Sequence, residues 1–366
     1  MNDATLLVVG GAGFVGSNLV RAALDGGAKR VLIVDNLLSA EQENVPEDDR
    51  VELVNASIAD DDVLASIQDE FDYVFHLATY HGNQSSIADP LADHENNLIT
   101  TLKLYERLKD FNRLQRVVYA ASGCTLAPHN VYESAEPTTE DGPVPLDLDS
   151  PYQISKVVGE FYSVYYHRQH GLPTVRARFQ NVYGPGEILG AGQWRGTPAT
   201  VWRNVTPTFV YRSLKDLPLV LDNGGVASRD LIYVEDIVRG LVACALRGAP
   251  GDVYNLASGH ETTIRTLAEL VVRLAESNST LELGVPRPWD HSVLRFGNPE
   301  KSRRELGFEA ETDLEKGLSA TIEWTRENLA FVDSCVARHS GRLAAAGSPL
   351  PEGVLNAVAD IDTAAS

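Results

Sequence analysis

Tyr152 and Lys156 stand four residues apart in a Y-x-x-x-K arrangement. On a helix that spacing puts both side chains on one face. A lysine ammonium ~5 Å from a phenol, at an effective dielectric of ~20, favours the phenolate by roughly 3 kcal/mol, about two pKa units. Such a shift brings a tyrosine towards the range of a general base at neutral pH. Tyr162, Tyr165 and Tyr166 follow on the same segment and read as an aromatic packing stripe. Ser122 closes the apolar run VVYAAS, where a hydroxyl can share a proton with a substrate oxygen and with Tyr152. Cys124 lies two residues on. As a thiolate it could move protons at carbon; as a thiol it is a small buried hydrophobe.

The elements that must position these groups begin at the N-terminus. LLVVGGAGFVGSNLV sets Gly10, Gly13 and Gly16 in a G-x-x-G-x-x-G turn between an apolar strand over 6–9 and a helix. Glycines let the backbone bend tightly and come close to a pyrophosphate, and the helix amides then point at the phosphates. Asp35 closes the next strand, where a carboxylate accepts from an adenosine ribose hydroxyl and repels a 2′-phosphate, favouring NAD over NADP. Further strands are expected at 31–35, 51–54, 73–77 and 116–122, alternating with amphipathic helices. That alternation predicts an α/β fold: a doubly wound parallel sheet of Rossmann type with a smaller α/β substrate-binding lobe. Residues 127–151 read as a long surface loop, followed by a helix over 152–170 and a strand over 174–179. The stretch 183–207 holds five glycines, Trp194, Trp202, Arg195 and Arg203 with no period, as a substrate-covering loop would. The expected division is a dinucleotide domain over 1–180 with 229–257 returning to it, and a substrate lobe over 181–228 and 258–330. Residues 331–366 form an extension that is partly disordered, since Ala, Gly, Ser and Pro rise after about residue 340 and the period vanishes.

A net charge of −20 disfavours nucleic acid and anionic membranes as partners, both of which reward basic surfaces. Phosphate binding therefore falls to a few local arginines. Three scattered cysteines make no disulfide framework. No signal peptide, membrane span, metal cluster or internal repeat is visible, so the chain reads as cytoplasmic.

Over residues 5–325 the chain resembles the extended short-chain dehydrogenases/reductases, and within them the NAD-dependent nucleotide-sugar epimerases and dehydratases. The GGAGFVGS turn, DNLLS, HLAT at 76–79, Pro90, Asn96 with Asn97, Ser122, Tyr152 with Lys156, and NVYGP at 181–185 carry the resemblance. So do NVTP at 204–207, Ser228-Arg229-Asp230 with Val234 and Asp236, and RPWD at 287–290. It implies that Gly10, Gly13, Phe14, Val15, Gly16, Asp35, Asn36, Ile58, Leu77, Ala78, Asn97, Tyr152 and Lys156 line NAD. It also implies that Asn181, Asn204, Arg229 and Arg287 hold a nucleoside diphosphate, a task suited to the arginine fork. Structurally, Arg229 could instead pair with Asp230 or Asp236. His81 and Ser86, just past a sheet strand, would face the sugar. Members usually dimerise through helices near 92–111 and 152–170, so a homodimer is expected.

Departures from the pattern bear on the reaction. Ser57 replaces an aspartate that often contacts adenine, and His81 a lysine near the cofactor phosphates. Dehydratases of this family place Asp-Glu after the Ser122 position, and nucleotide-glucuronate decarboxylases a glutamate; this chain has Gly123-Cys124. Ser-x-Cys resembles GDP-mannose 3,5-epimerases, but the lysine expected before Pro207 is replaced by Arg203, Asn204 and Val205. C4 epimerisation of a nucleoside-diphosphate hexose or uronic acid through a 4-keto sugar is the first reading. A Cys124-dependent 3,5-epimerase, another oxidoreductase or dehydratase on this scaffold, and a non-catalytic NAD-binding regulator are the alternatives. Arg195 and Arg203 could cover the sugar or pair with a carboxylate.

Overall fold

The computed structural model describes residues 1–126, 135–287, 289–290, 293–351 and 354. Seven strands form the central sheet: β1 (Thr5–Val9), β2 (Arg30–Asp35), β3 (Val51–Asn55), β4 (Tyr73–His76), β5 (Arg116–Ser122), β6 (Thr174–Phe179) and, at its far edge, Val253–Leu256. Their spatial order is β3-β2-β1-β4-β5-β6 and then Val253–Leu256, with every neighbour parallel. The order reverses between β1 and β4, and ligands of such sheets bind in the crevice at that switch.

The strands are continuous apolar runs because both faces are covered. Leu6, Val8 and Ile33 face one layer, with Leu19 and Val20 of α1 (Phe14–Asp25) and Ile237 and Leu241 from the helix Val234–Arg247. Leu7, Val9 and Val34 face the other, with Leu104 and Leu108 of the helix Thr100–Leu108 and Tyr166 of the helix Pro151–His170. Period-two alternation along each strand thus fills two separate cores.

A third core joins the helices Val205–Leu214, Ile264–Leu274 and Leu314–Glu327 through Val210, Leu267, Val271, Leu318 and Ile322. A three-stranded sheet (Asn181–Tyr183, Ser228–Tyr233, Glu261–Thr263) and a parallel pair (Leu219–Asp222, Leu281–Gly284) accompany it.

The C-terminal segment differs from expectation. Leu329–Ala337 and Ser340–Ala345 are helices. Val332, Cys335, Val336, Leu343, Leu350 and Val354 pack on Ile188, Leu189, Ala191 and Val201. Large apolar side chains at irregular spacing fill a groove, which a missing helical period conceals. Residues 355–366 lie outside the described residues, as do 127–134 of the expected surface loop. Among the described residues no helix is long and apolar enough to cross a membrane, and no His/Cys/Asp/Glu group could hold a metal ion.

Candidate active site

A cavity of about 720 Å³ opens at the carboxyl ends of the sheet strands. At one end lies the glycine turn. Gly10 has φ +87°, and a Cβ there would sit 2.5 Å from the Ala78 amide nitrogen; one on Gly16 would overlap the Gly10 carbonyl. Helix α1 starts with Gly13 as its cap, without a side-chain cap bond and with no acidic residue in the first turn. Its first amides are therefore left for an outside acceptor, as a dinucleotide phosphate requires. Asp35 lines the cavity beside it. Its Oδ2 accepts from the Ala12 amide at 3.0 Å and its Oδ1 from Leu37 at 2.9 Å. Burial raises the carboxyl pKa while these amides and that of Gly13 oppose the rise. Gly10, Gly13, Phe14, Val15, Gly16, Asn36, Ile58, Leu77 and Ala78 all line this end. The residues fit a bound NAD.

The middle of the cavity holds the chemistry. Ser122 lies at the end of β5, and its Oγ is 2.9 Å from Cys124 Sγ. Tyr152 and Lys156 come from the helix Pro151–His170, whose start is fixed by Pro151 and by a Ser150 hydroxyl accepting from the Gln153 amide. Ser122, Cys124, Tyr152 and Lys156 all line the cavity.

The electrostatics depart from the simple Y-x-x-x-K expectation. Lys156 Nζ is 5.8 Å from the Tyr152 ring centre and donates to the Ala120 carbonyl at 2.9 Å. Burial, then the neighbouring Cys124, push the phenol above its ordinary pKa, against hydrogen bonding with Ser122 and the charge of Arg295. Lys156 is drawn down to about 8 by burial, against the pull of Asp93 and Cys124. The protein alone therefore favours Tyr152 as a phenol, with desolvation the dominant influence.

Asn97 and Ser86 lie outside the cavity lining. A π turn at Glu95–Ile99 lets Asn96 and Thr100 line the cavity, whereas Asn97 is buried outside its lining. The Asn97 amide donates to Asp93 Oδ2 at 2.8 Å and to Ser155 Oγ at 3.0 Å, and its oxygen accepts from the Tyr80 amide at 2.7 Å. Ser86 is fully buried, accepting from the Tyr152 amide at 3.1 Å and donating to the Asn83 carbonyl, so it supports the helix start instead of meeting sugar. His81 does line the cavity, its ring 6.2 Å from that of Tyr152.

At the far end Asn181, Asn204, Arg229 and Arg287 line the cavity. Arg229 pairs with Asp290 at 2.8 Å, and Arg287 with Asp222 at 2.5 Å while standing over the Trp289 ring. Asp230 and Asp236 are occupied elsewhere: Asp230 accepts from Ser258 and the amides of Gly259 and Gly297, and Asp236 pairs with Arg239. Asn204 donates to Glu187.

Residues 6–257 match the NAD dependent epimerase/dehydratase family. The chain belongs to this family. As a member it is similar to the Bordetella bronchiseptica enzyme WbmF, solved with NAD+, at 59% identity and a TM-score of 0.85 over 94% of this chain and 99% of that one. The same enzyme with NAD+ and UDP superposes at a TM-score of 0.84, again at 59% identity, over 94% and 98% of the two chains. A UDP-glucose 4-epimerase of Mycolicibacterium smegmatis is 31% identical over 87% of this chain and 98% of its own. A dTDP-glucose 4,6-dehydratase of Streptomyces antibioticus is 29% identical over 92% and 96%. Membership therefore spans both elimination and epimerisation.

Four cavity or cavity-side residues were not picked out in the sequence. Gln180 and Arg295 line the cavity, each with a buried nitrogen lacking a partner (Gln180 Nε2 and Arg295 Nη1). Glu187 lines it and is pushed up to about 7 by burial. Asp93 sits behind Lys156, 1% exposed. None belongs to a spaced motif; only the composition of 183–207 hinted at Glu187.

Proposed function

We propose that this family member is a nucleotide-sugar C4 epimerase acting on a UDP-hexose or UDP-hexuronate with NAD retained between turnovers. The observation that carries the reading is the floor beside Ser122. A dehydratase needs an acid and a base after that serine, and here the two positions are Gly123 and Cys124. A Cβ on Gly123 would collide with the Gln180 amide. Ser122, Tyr152 and Lys156 meanwhile remain together in the cavity.

NAD, when bound, supplies the acceptor and donor of a hydride at C4. Tyr152 takes the C4 hydroxyl proton and gives it back, with Ser122 aligning that hydroxyl. The Lys156 ammonium, beside the phenol, favours its ionised form once the sugar is in place. The 4-keto sugar turns within the cavity so that the opposite face is reduced. Arg229 and Arg287, each steadied by an aspartate, hold the diphosphate; the UDP in the WbmF complex supports uridine as the base.

A second reading rests on Cys124, whose sulfur lines the cavity 2.9 Å from Ser122 Oγ and could exchange protons at C3 or C5. Proton NMR of UDP-sugars incubated with the purified protein, without added NAD, tests both. A C4 epimer supports the first reading, and changes at C3 or C5 replace it with the second. Tyr152→Phe should abolish turnover with NAD still bound; full activity in that variant removes Tyr152 from the mechanism.

Homodimerisation is part of the proposal. Leu91, Ile154, Phe161 and Tyr165 are 49–75% exposed on the helices Pro90–His94 and Pro151–His170, more apolar surface than a lone chain needs.

A further inference from the structure

Arg203 and Arg195 both belong to the loop 185–204, Arg203 in the cavity lining and Arg195 buried outside it, and neither has a carboxylate within ion-pair distance among the described residues. Arg203 lines the cavity. Its Nη1 donates to the Ser39 carbonyl at 3.0 Å and its Nη2 to Ala191 at 2.8 Å, while Nε has no partner. Arg195 is 3% exposed, lies 5.9 Å over the Tyr80 ring and donates to Ser39 Oγ; its Nε and Nη2 have no partner. Burial and Arg203 draw Arg195 down to about 9, so it stays charged at neutral pH. The nearest acid, Glu187, is drawn up to about 7 and accepts from Asn204. His81, whose Nδ1 is unpartnered, has its ring 6.2 Å from that of Tyr152 and feels the charge of both guanidiniums.

Buried cations without a counter-ion are costly; the buried Arg229 has Asp290 and the more exposed Arg287 has Asp222, whereas the half-buried Arg295, whose charge acts on Arg229, has no ion pair among the described residues. An anion from outside must complete the pair. The cofactor phosphates have the amides of α1, and the nucleotide phosphates have Arg229 and Arg287. What remains is the sugar. His81 is near Tyr152 and within the electrostatic reach of Arg203, and a C6 carboxylate hangs on C5, one carbon from the centre that Tyr152 would deprotonate. We propose that Arg203, with the charge of the buried Arg195 behind it, receives the carboxylate of a hexuronate, so that the substrate is a UDP-uronic acid. This rests on the nucleotide-sugar reading of the site and narrows it.

The test is isothermal titration of the NAD-loaded protein with UDP-glucuronate and with UDP-glucose, alongside NMR turnover of both. The uronate should bind about 10- to 100-fold more tightly, the range of a charged hydrogen-bond pair. Arg203→Met should erase that ratio while leaving the affinity for UDP-glucose and the NAD released on denaturation within about twofold; Arg203→Lys should restore part of it. Equal affinities in the unaltered protein overturn the proposal, and that arm depends on no variant. A ratio that survives Arg203→Met overturns it too. Loss of NAD with the ratio intact would assign the guanidiniums to the cofactor diphosphate instead. Failure to bind either sugar removes UDP and the proposal together. The C4 reading is judged separately: a uronate bound tightly but unchanged at C4 sinks epimerisation and keeps the carboxylate site.

Discussion

Asp93 is a carboxyl kept where it weakens the fold. It is 1% exposed, and burial raises it from 3.8 to about 6 against hydrogen bonds from Ser155 and Asn97 and the charge of Lys156. A raised acid is harder to ionise folded than unfolded. Its penalty is absent below about pH 4, grows through pH 6 and is complete above it. A shift of that size corresponds to about 3 kcal/mol at pH 8. Asp93→Asn keeps the shape and an acceptor for the Asn97 amide, with the Ser155 hydroxyl free to rotate. We expect it to stabilise the protein by about 2 kcal/mol at pH 8 and by close to nothing at pH 4. Activity should move the other way. Asp93 is the larger of the two charges holding Lys156 up at about 8, so the variant's ammonium should deprotonate at lower pH. The alkaline limb of the turnover profile should fall by about half to one unit. Urea melts at pH 4 and pH 8 and a pH series of initial rates read the two effects. An Asn variant less stable at pH 8, or an alkaline limb that does not move, would refute the coupling.

Other variants probe the scaffold. Glu160 holds Arg178 through two 2.8 Å bonds, with Arg176 at 3.3 Å, and ties the catalytic helix to β6. Glu160→Gln leaves buried guanidiniums unpaired and should cost about 3–5 kcal/mol by denaturant titration; a loss under 1 kcal/mol would mean that water replaces the carboxylate. Gly190 has φ +70°, and a Cβ there would lie 2.5 Å from the Cys335 carbonyl oxygen. Gly190→Ala should lower stability by about 2–4 kcal/mol, and an unchanged melting curve would show that the C-terminal helices do not clamp the loop. Phe161→Glu should convert a particle of twice the 39.8 kDa chain mass to one of that mass in light scattering, whereas a wild-type monomer removes the proposed interface.

Apolar runs such as TLLVV and RVLIVD can only be strands buried on both faces, so the sheet could be read almost residue by residue. The glycine turn and Y-x-x-x-K were equally plain, because their chemistry depends on spacing within one segment. What escaped the sequence depends on packing between segments. At the π turn Glu95–Ile99 it is Asn96 that lines the cavity and Asn97 that is buried behind it, and nothing in ENNLI marks where a helix takes an extra residue. Lys156 was expected to act on Tyr152 through charge alone; its bond to the Ala120 carbonyl and the burial of both groups appear only when the helix docks on β5. The tail misled because its helices are short and alanine-rich, and short helices are held by tertiary packing more than by propensity. Leu343 and Cys335, each 0% exposed, identify the element those helices secure: the loop that delivers Arg195 and Arg203. If the proposed carboxylate site holds, a segment read as weakly attached from its composition bears on specificity. Loosening it should loosen the two guanidiniums before it disturbs Tyr152, which the catalytic helix holds independently.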